Sequence, residues 1–259
     1  MNGDHPASRK ARPVQIAFLT DIHSNREALT AVLAHARARG AQRFVLLGDY
    51  VGYGPDPEWT IETIAGLVAE GAIAIRGNHD EAAVGGVNGM NSNAAQAIDW
   101  TSRQLSKASL DFLSKLPLSV IDDDRLYVHA DASAPHRWLY VVDGEAARHS
   151  LEAAETRLVF SGHVHVPAIY GLSNIGKLTP FRPQPGIAIP LLAQRRWLAL
   201  IGSVGQPRDG DPAAGYALYN DYSAEIVFHR VPYDVETTAQ KIRAAGLPAG
   251  LASRLFAGH

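Results

Sequence analysis

Short apolar runs alternate with amphipathic segments along the first third of the chain. The apolar runs are Val14 to Leu19, Phe44 to Leu47 and Ala72 to Ile75, each of a length typical of a buried strand. Between them, apolar residues recur at helical spacing. They are Ala28, Leu29, Val32, Leu33 and Ala36, and then Ile61, Ile64, Leu67 and Val68. This order predicts a βαβαβ unit, in which parallel strands are joined by right-handed crossovers.

Start and stop signals flank both of these predicted helices. Ser24 and Glu27 have the spacing of a capping box, and Gly40 follows the last periodic position. The pair Asp56-Pro57 predicts the second helix start, with Gly71 as its end. Each helix is therefore expected to span about three to four turns between two strands.

The rest of the chain gives mixed signals. A further helix is expected from a cap at Asn93 to Leu105, and a hairpin around the acidic turn 122–125. Later strand candidates are Arg157 to Phe160, Trp197 to Ile201, Tyr216 to Tyr219 and Ile226 to Val231. The proline-rich stretch Ser173 to Pro190 is expected to be a long loop, and Tyr233 to Ala245 a helix.

These elements together predict an α/β fold. We expect one domain over residues 13–259, built on βαβαβ units as two packed mixed β-sheets, a β-sandwich, flanked by α-helices. Residues 1–12 are polar and basic, and we interpret them as a disordered N-terminal leader because they contain no signal-peptide core.

Composition narrows the functional classes. The chain has 259 residues, 46% of them hydrophobic, a formal net charge of -2 and no cysteine. Disulfides, thiolate metal ligands and cysteine nucleophiles are thereby excluded, and a reducing cytoplasm suits the chain. The near-neutral charge predicts no extended nucleic-acid surface, and no apolar run is long enough to cross a membrane.

Metal-binding side chains recur where apolar runs end. They are Asp21, His23, Asp49, Asn78, His129, His163 and His165, with His79 directly after Asn78. Asp21, Asp49 and Asn78 follow the carboxyl ends of the three predicted parallel strands, the edge where open α/β sheets bind ligands. Carboxylate, amide and imidazole ligands along one rim suit two divalent metals, which activate water against phosphate esters.

These blocks resemble the five signature blocks of the calcineurin-like metallophosphoesterases. The matching residues are Asp21-x-His23, Gly48-Asp49, Gly77-Asn78-His79-Asp80, His129 and Gly162-His163-Val164-His165, in the order typical of the family. The stretch Gly202 to Asp209 is similar to a glycine-rich strand-to-loop element of the compact bacterial, phosphodiesterase-like branch. The resemblance covers most of the chain and includes every metal-ligand position.

The resemblance implies a role for each side chain. Asp21, His23, Asp49 and His165 would hold one ion, and Asp49, Asn78, His129 and His163 the other, with Asp49 bridging the two. A bridging hydroxide would attack phosphorus. His79 is expected to protonate the leaving group or to stabilise the transition state. Manganese or iron is favoured for activity, with zinc as the alternative.

One departure from the wider family bears on the substrate. Protein phosphatases carry Gly-Asp-x-x-Asp-Arg-Gly, but here Gly52 and Tyr53 replace the second Asp, which orients the catalytic His, and the Arg, which grips phosphate. Asp80 is an alternative group for orienting His79. Arg208 and Tyr53 are candidate substrate contacts, although Arg208 could instead pair with Asp209 or Asp211.

The sequence therefore predicts a dinuclear metal-dependent phosphoesterase, specifically a phosphodiesterase for a small nucleotide-like phosphodiester. The expected partner is a small phosphate-ester substrate. Diadenosine polyphosphate hydrolysis and phosphomonoester hydrolysis are enzymatic alternatives. A non-catalytic scaffold of the same fold is the alternative from another class, but scaffolds tend to lose ligands or the catalytic His, and this chain keeps them all.

Overall fold

The computed structural model of the protein describes residues 14–87 and 89–259, so the predicted leader lies outside the described residues. Twelve strands occur in the described part of the chain. They are β1 (Gln15–Leu19), β2 (Arg43–Leu46), β3 (Ile73–Ala74), β4 (Ser119–Asp122), β5 (Arg125–Val128), β6 (Leu158–Ser161), β7 (Ala168–Ser173), β8 (Leu178–Phe181), β9 (Ala188–Pro190), β10 (Arg195–Leu200), β11 (Ala214–Asn220) and β12 (Glu225–Val231).

Eight α-helices and one short 3-10 turn, Pro135–Arg137, accompany these strands in the same described ranges. The helices are α1 (Arg26–Ala38), α2 (Pro57–Ala69), α3 (Asn78–Gly85), α4 (Ser92–Gln104), α5 (Lys107–Lys115), α6 (Gly144–Ala153), α7 (Val235–Ala244) and α8 (Ala249–Ala257). Among the described residues, none of these helices combines the length and the apolar character needed to cross a bilayer.

The predicted βαβαβ unit is confirmed by β1 to β3, which pair in parallel through α1 and α2. The helix starts differ in detail from the prediction. Asn25, not Ser24, caps α1, because its side chain accepts a hydrogen bond from the amide of Ala28. Ser24 instead has left-handed backbone geometry in the turn before the helix.

Two six-stranded mixed sheets pack face to face, as predicted. The first has the order β3-β2-β1-β11-β12-β9 and the second β4-β5-β6-β10-β7-β8. The rings of Phe18 and Phe160 stack across the interface with centroids 4.1 Å apart. Helices α1 and α2 cover the outer face of the first sheet, and α6 covers that of the second. This β-sandwich with outer helices is the predicted fold class.

The prediction of a long loop over Ser173 to Pro190 was wrong. The segment contains β8 and β9, and it follows β7, which the sequence analysis did not predict. Both new strands lie at the ends of their sheets. Pro180 and Pro190 are compatible with such edge strands, because a missing backbone donor removes no hydrogen bond on the open side.

Other local predictions also needed correction. Helix α4 is capped by Asn91, whose side chain accepts from the amide of Ala94, so Asn93 lies inside the first turn. The predicted hairpin is confirmed as β4 and β5. Its acidic turn is not simply solvated, because Asp122 accepts hydrogen bonds from Arg43, Arg125 and Tyr127.

Candidate metal centre

Two sets of three parallel strands end at the same rim of the sandwich. Strands β1, β2 and β3 run parallel in one sheet, and β5, β6 and β10 run parallel in the other. All the sequence-predicted ligands come directly after these strands. They are Asp21 and His23 after β1, Asp49 after β2, Asn78 after β3, His129 after β5, and His163 and His165 after β6. The topology thus brings these side chains into one place.

The backbone at these positions is unusual. Five of the seven predicted ligands have positive φ angles, between 50° and 68°: Asp21, His23, Asp49, His163 and His165. Residues other than Gly rarely adopt this left-handed backbone conformation, which costs roughly 1–3 kcal/mol per residue. All five of these residues belong to groups of possible metal-ligand atoms, so the strain is concentrated at the candidate site.

The first cluster joins Asp21, His23 and His165. The Nε2 atoms of the two imidazoles lie 3.2 Å apart, and Asp21 Oδ1 is 3.2 Å from His165 Nε2. Each Nδ1 is 2.6 to 3.1 Å from a backbone carbonyl, that of Val51 for His23 and that of Gln206 for His165. The imidazoles therefore donate outward from Nδ1, which leaves the inward Nε2 atoms as lone-pair donors to an ion.

The second cluster joins Asp49, His129 and His163. His129 Nε2 and His163 Nδ1 are 3.2 Å apart, and their outer nitrogens lie 2.7 Å from the carbonyl of Leu47 and 3.0 Å from that of Trp138. The arrangement repeats that of the first cluster, with one difference. His163 turns Nδ1 inward, because its Nε2 donates to the backbone of the segment 131–142.

These two sets of donor atoms fit divalent metal ions. Two ring nitrogens that face each other at 3.2 Å need a cation between them, either a proton or a metal ion. The field of the cluster favours such a cation, since burial alone would lower the pKa of His129 but Asp49 and Asp21 raise it to about 9. Asn78 adds a buried side-chain oxygen that has no hydrogen-bond partner among the described residues.

Asp49 lies between the clusters. Its Oδ2 is 3.8 Å from His23 Nε2 and 3.3 Å from His129 Nε2, so one oxygen faces ligands of both groups. Its Oδ1 accepts a hydrogen bond from the amide of His79 at 2.8 Å. This is the geometry that a bridging carboxylate needs, with one oxygen shared and the other fixed by the protein.

His79 is buried beside the same clusters and forms a third group of possible ligand atoms with His23 and Asp49. Its ring packs against those of His23 and Tyr53, with centroid distances of 4.8 and 4.5 Å. Its Nδ1 is buried without a hydrogen-bond partner in the described part of the chain. A Cβ atom at position 52 would lie 2.4 Å from that nitrogen, which explains the Gly there. Burial lowers the pKa of His79 to about 4, although Asp49 opposes this shift.

Asp80 does not orient His79. Its carboxylate instead accepts four backbone hydrogen bonds, from the amides of Gly77, Asp49, Tyr50 and Val51 at 2.8 to 3.3 Å. It ties the loop after β2 to the start of α3. His79 is thus held by the packing of its ring and by the hydrogen bond from its own amide to Asp49. Gly52 leaves the space that its ring needs.

A cleft of about 740 Å³ opens from the clusters. Its lining residues include Tyr53, Asn78, His79, Met90, Asn91, His136, Arg137, Trp138, Tyr140 and His163. Tyr53, one of the two candidate substrate contacts, thus lines the cleft. The sequence analysis did not find Trp138 or Tyr140. Tyr140 is 54% exposed and stacks on His163 at 4.0 Å, and Trp138 donates from its indole nitrogen to Glu81.

Arg208 lies in the loop after β10. It does not pair with Asp209 or Asp211, because both of these carboxylates contact Arg230. Its Cζ is 5.9 Å from the ring centroid of Tyr53. The two predicted substrate contacts, Arg208 and Tyr53, are therefore neighbours in the structure.

Comparison with known proteins places this geometry in context. The profile of the family described as calcineurin-like phosphoesterase matches residues 14–167. An uncharacterised protein of Methanocaldococcus jannaschii is 34% identical over 250 residues, which cover 94% of this chain and 98% of that protein. The family match over residues 14–167 includes all five blocks that carry the candidate ligands.

Solved structures give the same result. The crystal structure of a metallophosphoesterase from Sphaerobacter thermophilus is 36% identical, with a TM-score of 0.85 over 96% of this chain and all of that one. A hypothetical protein from Pyrococcus horikoshii OT3 shares the fold at 20% identity, with a TM-score of 0.77 over 95% of this chain and 99% of that one.

Proposed function

Because the chain belongs to the calcineurin-like phosphoesterase family, and is therefore a phosphoester hydrolase, we propose that it is a dinuclear metal-dependent phosphodiesterase. The substrate class that we propose is a small nucleotide-like phosphodiester. The observation that carries the dinuclear assignment is the position of one Asp49 oxygen between two pairs of inward-facing imidazole nitrogens.

The proposed ligand sets follow the two clusters. Asp21, His23, Asp49 and His165 would hold one ion. The second ion would be held by Asp49, Asn78, His129 and His163. When bound, such ions polarise the phosphoryl oxygens and lower the pKa of water so that it can attack phosphorus. An oxygen and nitrogen donor set without thiolate suits manganese, iron or zinc, and we favour manganese or iron for activity.

His79 is the proposed catalytic acid. It lines the cleft next to Asn78, and its backbone amide is fixed on Asp49. A neutral imidazole at this place can pass a proton to the leaving oxygen after taking one from solvent through the cleft, or can donate a hydrogen bond to that oxygen. The packing of His79 against the rings of His23 and Tyr53 supports a fixed orientation for this role.

The diester assignment rests on the cleft. A diester needs space for a second substituent on phosphorus, and about 740 Å³ exceeds the need of a phosphoryl group alone. The lining near the clusters is aromatic and largely uncharged, with Tyr53, Trp138 and Tyr140. Flat aromatic groups such as nucleobases stack on such rings. We also propose a cytoplasmic location, which suits a chain without cysteine.

The test compares two chromogenic esters after manganese loading with metal analysis. Bis(p-nitrophenyl) phosphate should be hydrolysed with a higher kcat/KM than p-nitrophenyl phosphate, and phosphoserine peptides should be poor substrates. A strong preference for the monoester would overturn the diester assignment but not the dinuclear site. Hydrolysis that persists after chelation, in protein that metal analysis shows to contain no bound ion, would contradict the dinuclear site itself.

A further inference from the structure

Tyr53 stands where protein phosphatases have an arginine, but the side chain of Arg208 lies next to Tyr53. Arg208 enters from the loop after β10, and its Cζ lies 5.9 Å from the centre of the Tyr53 ring. That ring in turn contacts the rings of His79 and His23, at 4.5 and 4.6 Å. The positive charge therefore lies next to the aromatic wall of the candidate metal centre, although it comes from a different segment of the chain.

Neutral groups hold Arg208 in place. Its amide donates to the carbonyl of His165 at 3.3 Å, and its Nη2 donates to Gln206 Oε1 at 3.1 Å. Gln206 is 2% exposed, and its side-chain oxygen also accepts from Arg254 of α8. Its own amide donates to Ser203 Oγ. Two cations thus share one neutral oxygen, so the position of Arg208 is fixed without cancelling its charge.

The charge of Arg208 has no carboxylate partner in the described ranges. The nearby Asp209 and Asp211 contact Arg230 instead, and Arg208 Nε is buried without a hydrogen-bond partner among the described residues. A partly buried guanidinium without a counter-charge binds anions strongly, because its hydrogen-bond donors are already aimed and partly desolvated.

We propose that Arg208 binds a non-bridging phosphoryl oxygen of the substrate, in place of the Arg that Tyr53 replaces, and that Gln206 is its positioning residue. This inference rests on the proposed function and names the group that selects the phosphoryl charge. Gln206 links the clamp to the metal centre, since its backbone carbonyl fixes the tautomer of His165 while its side chain fixes Arg208.

Phosphate binding tests the clamp separately from turnover. Titration calorimetry with inorganic phosphate should give a dissociation constant roughly 10- to 100-fold higher for manganese-loaded Arg208→Ala than for the wild type. Arg208→Gln, which keeps most of the side-chain volume, should weaken binding similarly. The matched control is Arg103→Ala, which removes an exposed arginine paired with Asp99 and should leave binding unchanged.

A transplanted guanidinium sharpens the test. Tyr53 already has a positive φ of 61°, so Tyr53→Arg adds no new backbone requirement beyond that of any side chain there. In the Arg208→Ala background, Tyr53→Arg should restore at least about half of the phosphate-binding free energy that Arg208→Ala loses. Gln206→Met keeps the backbone carbonyl on His165, so we expect normal metal content with phosphate binding weakened roughly 3- to 10-fold.

Kinetics separate positioning from chemistry. With bis(p-nitrophenyl) phosphate, Gln206→Met should raise KM more than it lowers kcat, whereas loss of a metal ligand would lower metal content as well. Unchanged phosphate affinity in Arg208→Ala, with metal content retained, would overturn the inference. Failure of the wild type to hydrolyse any phosphate ester would overturn the proposed function instead, and the calorimetric result would still decide the role of Arg208.

Discussion

The carboxylate of Asp80 offers the sharpest structural prediction, because it is fully buried and accepts four backbone hydrogen bonds. Oδ1 accepts from the amides of Tyr50 and Val51, and Oδ2 from those of Gly77 and Asp49. Asp80→Ala removes every one of these acceptors at once. The loop that carries Asp49 would then lose its connection to the start of α3.

The expected cost follows from the number of orphaned donors. An unpaired buried N–H costs roughly 1–3 kcal/mol, so four of them give about 4–12 kcal/mol before any relaxation. Water that enters the space left by the carboxylate will satisfy some of these donors, and we expect a loss of at least about 3 kcal/mol. Asp80→Asn should cost a comparable amount, because in either orientation its NH2 group would face two backbone N–H donors instead of accepting from them.

Urea unfolding of the metal-free protein measures this loss, and elemental analysis of the loaded protein measures its effect on the metal centre. Both Asp80 variants should unfold at lower urea and retain less metal. The matched control is Asp99→Ala, an exposed aspartate on α4 whose removal should change stability by less than about 0.5 kcal/mol. If Asp80→Ala had wild-type stability and metal content but slow turnover, the reasoning would be refuted, and an action through His79 would be favoured.

Three further changes test separate parts of the molecule. Asp49→Asn should lower both metal content and turnover, because its charge and its shared oxygen serve both clusters; two retained ions with near-normal hydrolysis would contradict this. His79→Ala should keep its metal but lose roughly 10²–10⁴-fold in turnover for esters with poor leaving groups, and less for nitrophenolate; equal losses would argue against an acid role. Burial, then His35 and Arg39, lower the pKa of His229 to about 4, below the 6.5 expected when unfolded. The unfolded chain therefore takes up the proton first, so stability should fall as the pH drops from about 6.5 towards 4. Thermal unfolding of His229→Phe should show a weaker acid dependence, and an identical profile would count against this reasoning.

The convergence of the candidate metal ligands on one rim could be predicted from sequence, because these residues follow simple strands. Asp21, Asp49 and Asn78 come directly after apolar runs, and parallel pairing brings such ends together without further information. His129 and His163 follow strands of the second sheet in the same way. Here the local pattern and the topology agree, so the sequence alone predicts that these side chains meet at one edge of the sandwich.

The groups around the ligands could not be predicted in the same way. Gln206 acts through one backbone and one side-chain carbonyl, and neither has a sequence signal. Trp138 accepts from His163 through its backbone oxygen, which any residue type provides. The sequence suggests no role for Asp80 beyond its neighbour His79, because nothing in it shows that a side chain will turn towards four amides. Edge strands such as β8 and β9 were missed because prolines usually mark loops.

The packing between the sheets also sets the dimensions of the candidate metal centre. Phe18 lies three residues before Asp21, Tyr127 two before His129, and Phe160 three before His163. The three rings form one fully buried cluster, with Phe18 stacked on Phe160 at 4.1 Å and edge-on to Tyr127 at 5.6 Å. One sheet supplies the carboxylates and the other supplies three of the four ligand imidazoles in the two clusters. These aromatic side chains, two or three residues before the rim, therefore fix the distance between the carboxylates of one sheet and the imidazoles of the other. Because close-packed interiors transmit changes of volume, the core and the site form one mechanical unit, and the aromatic residues belong to the account of function as much as the ligands do.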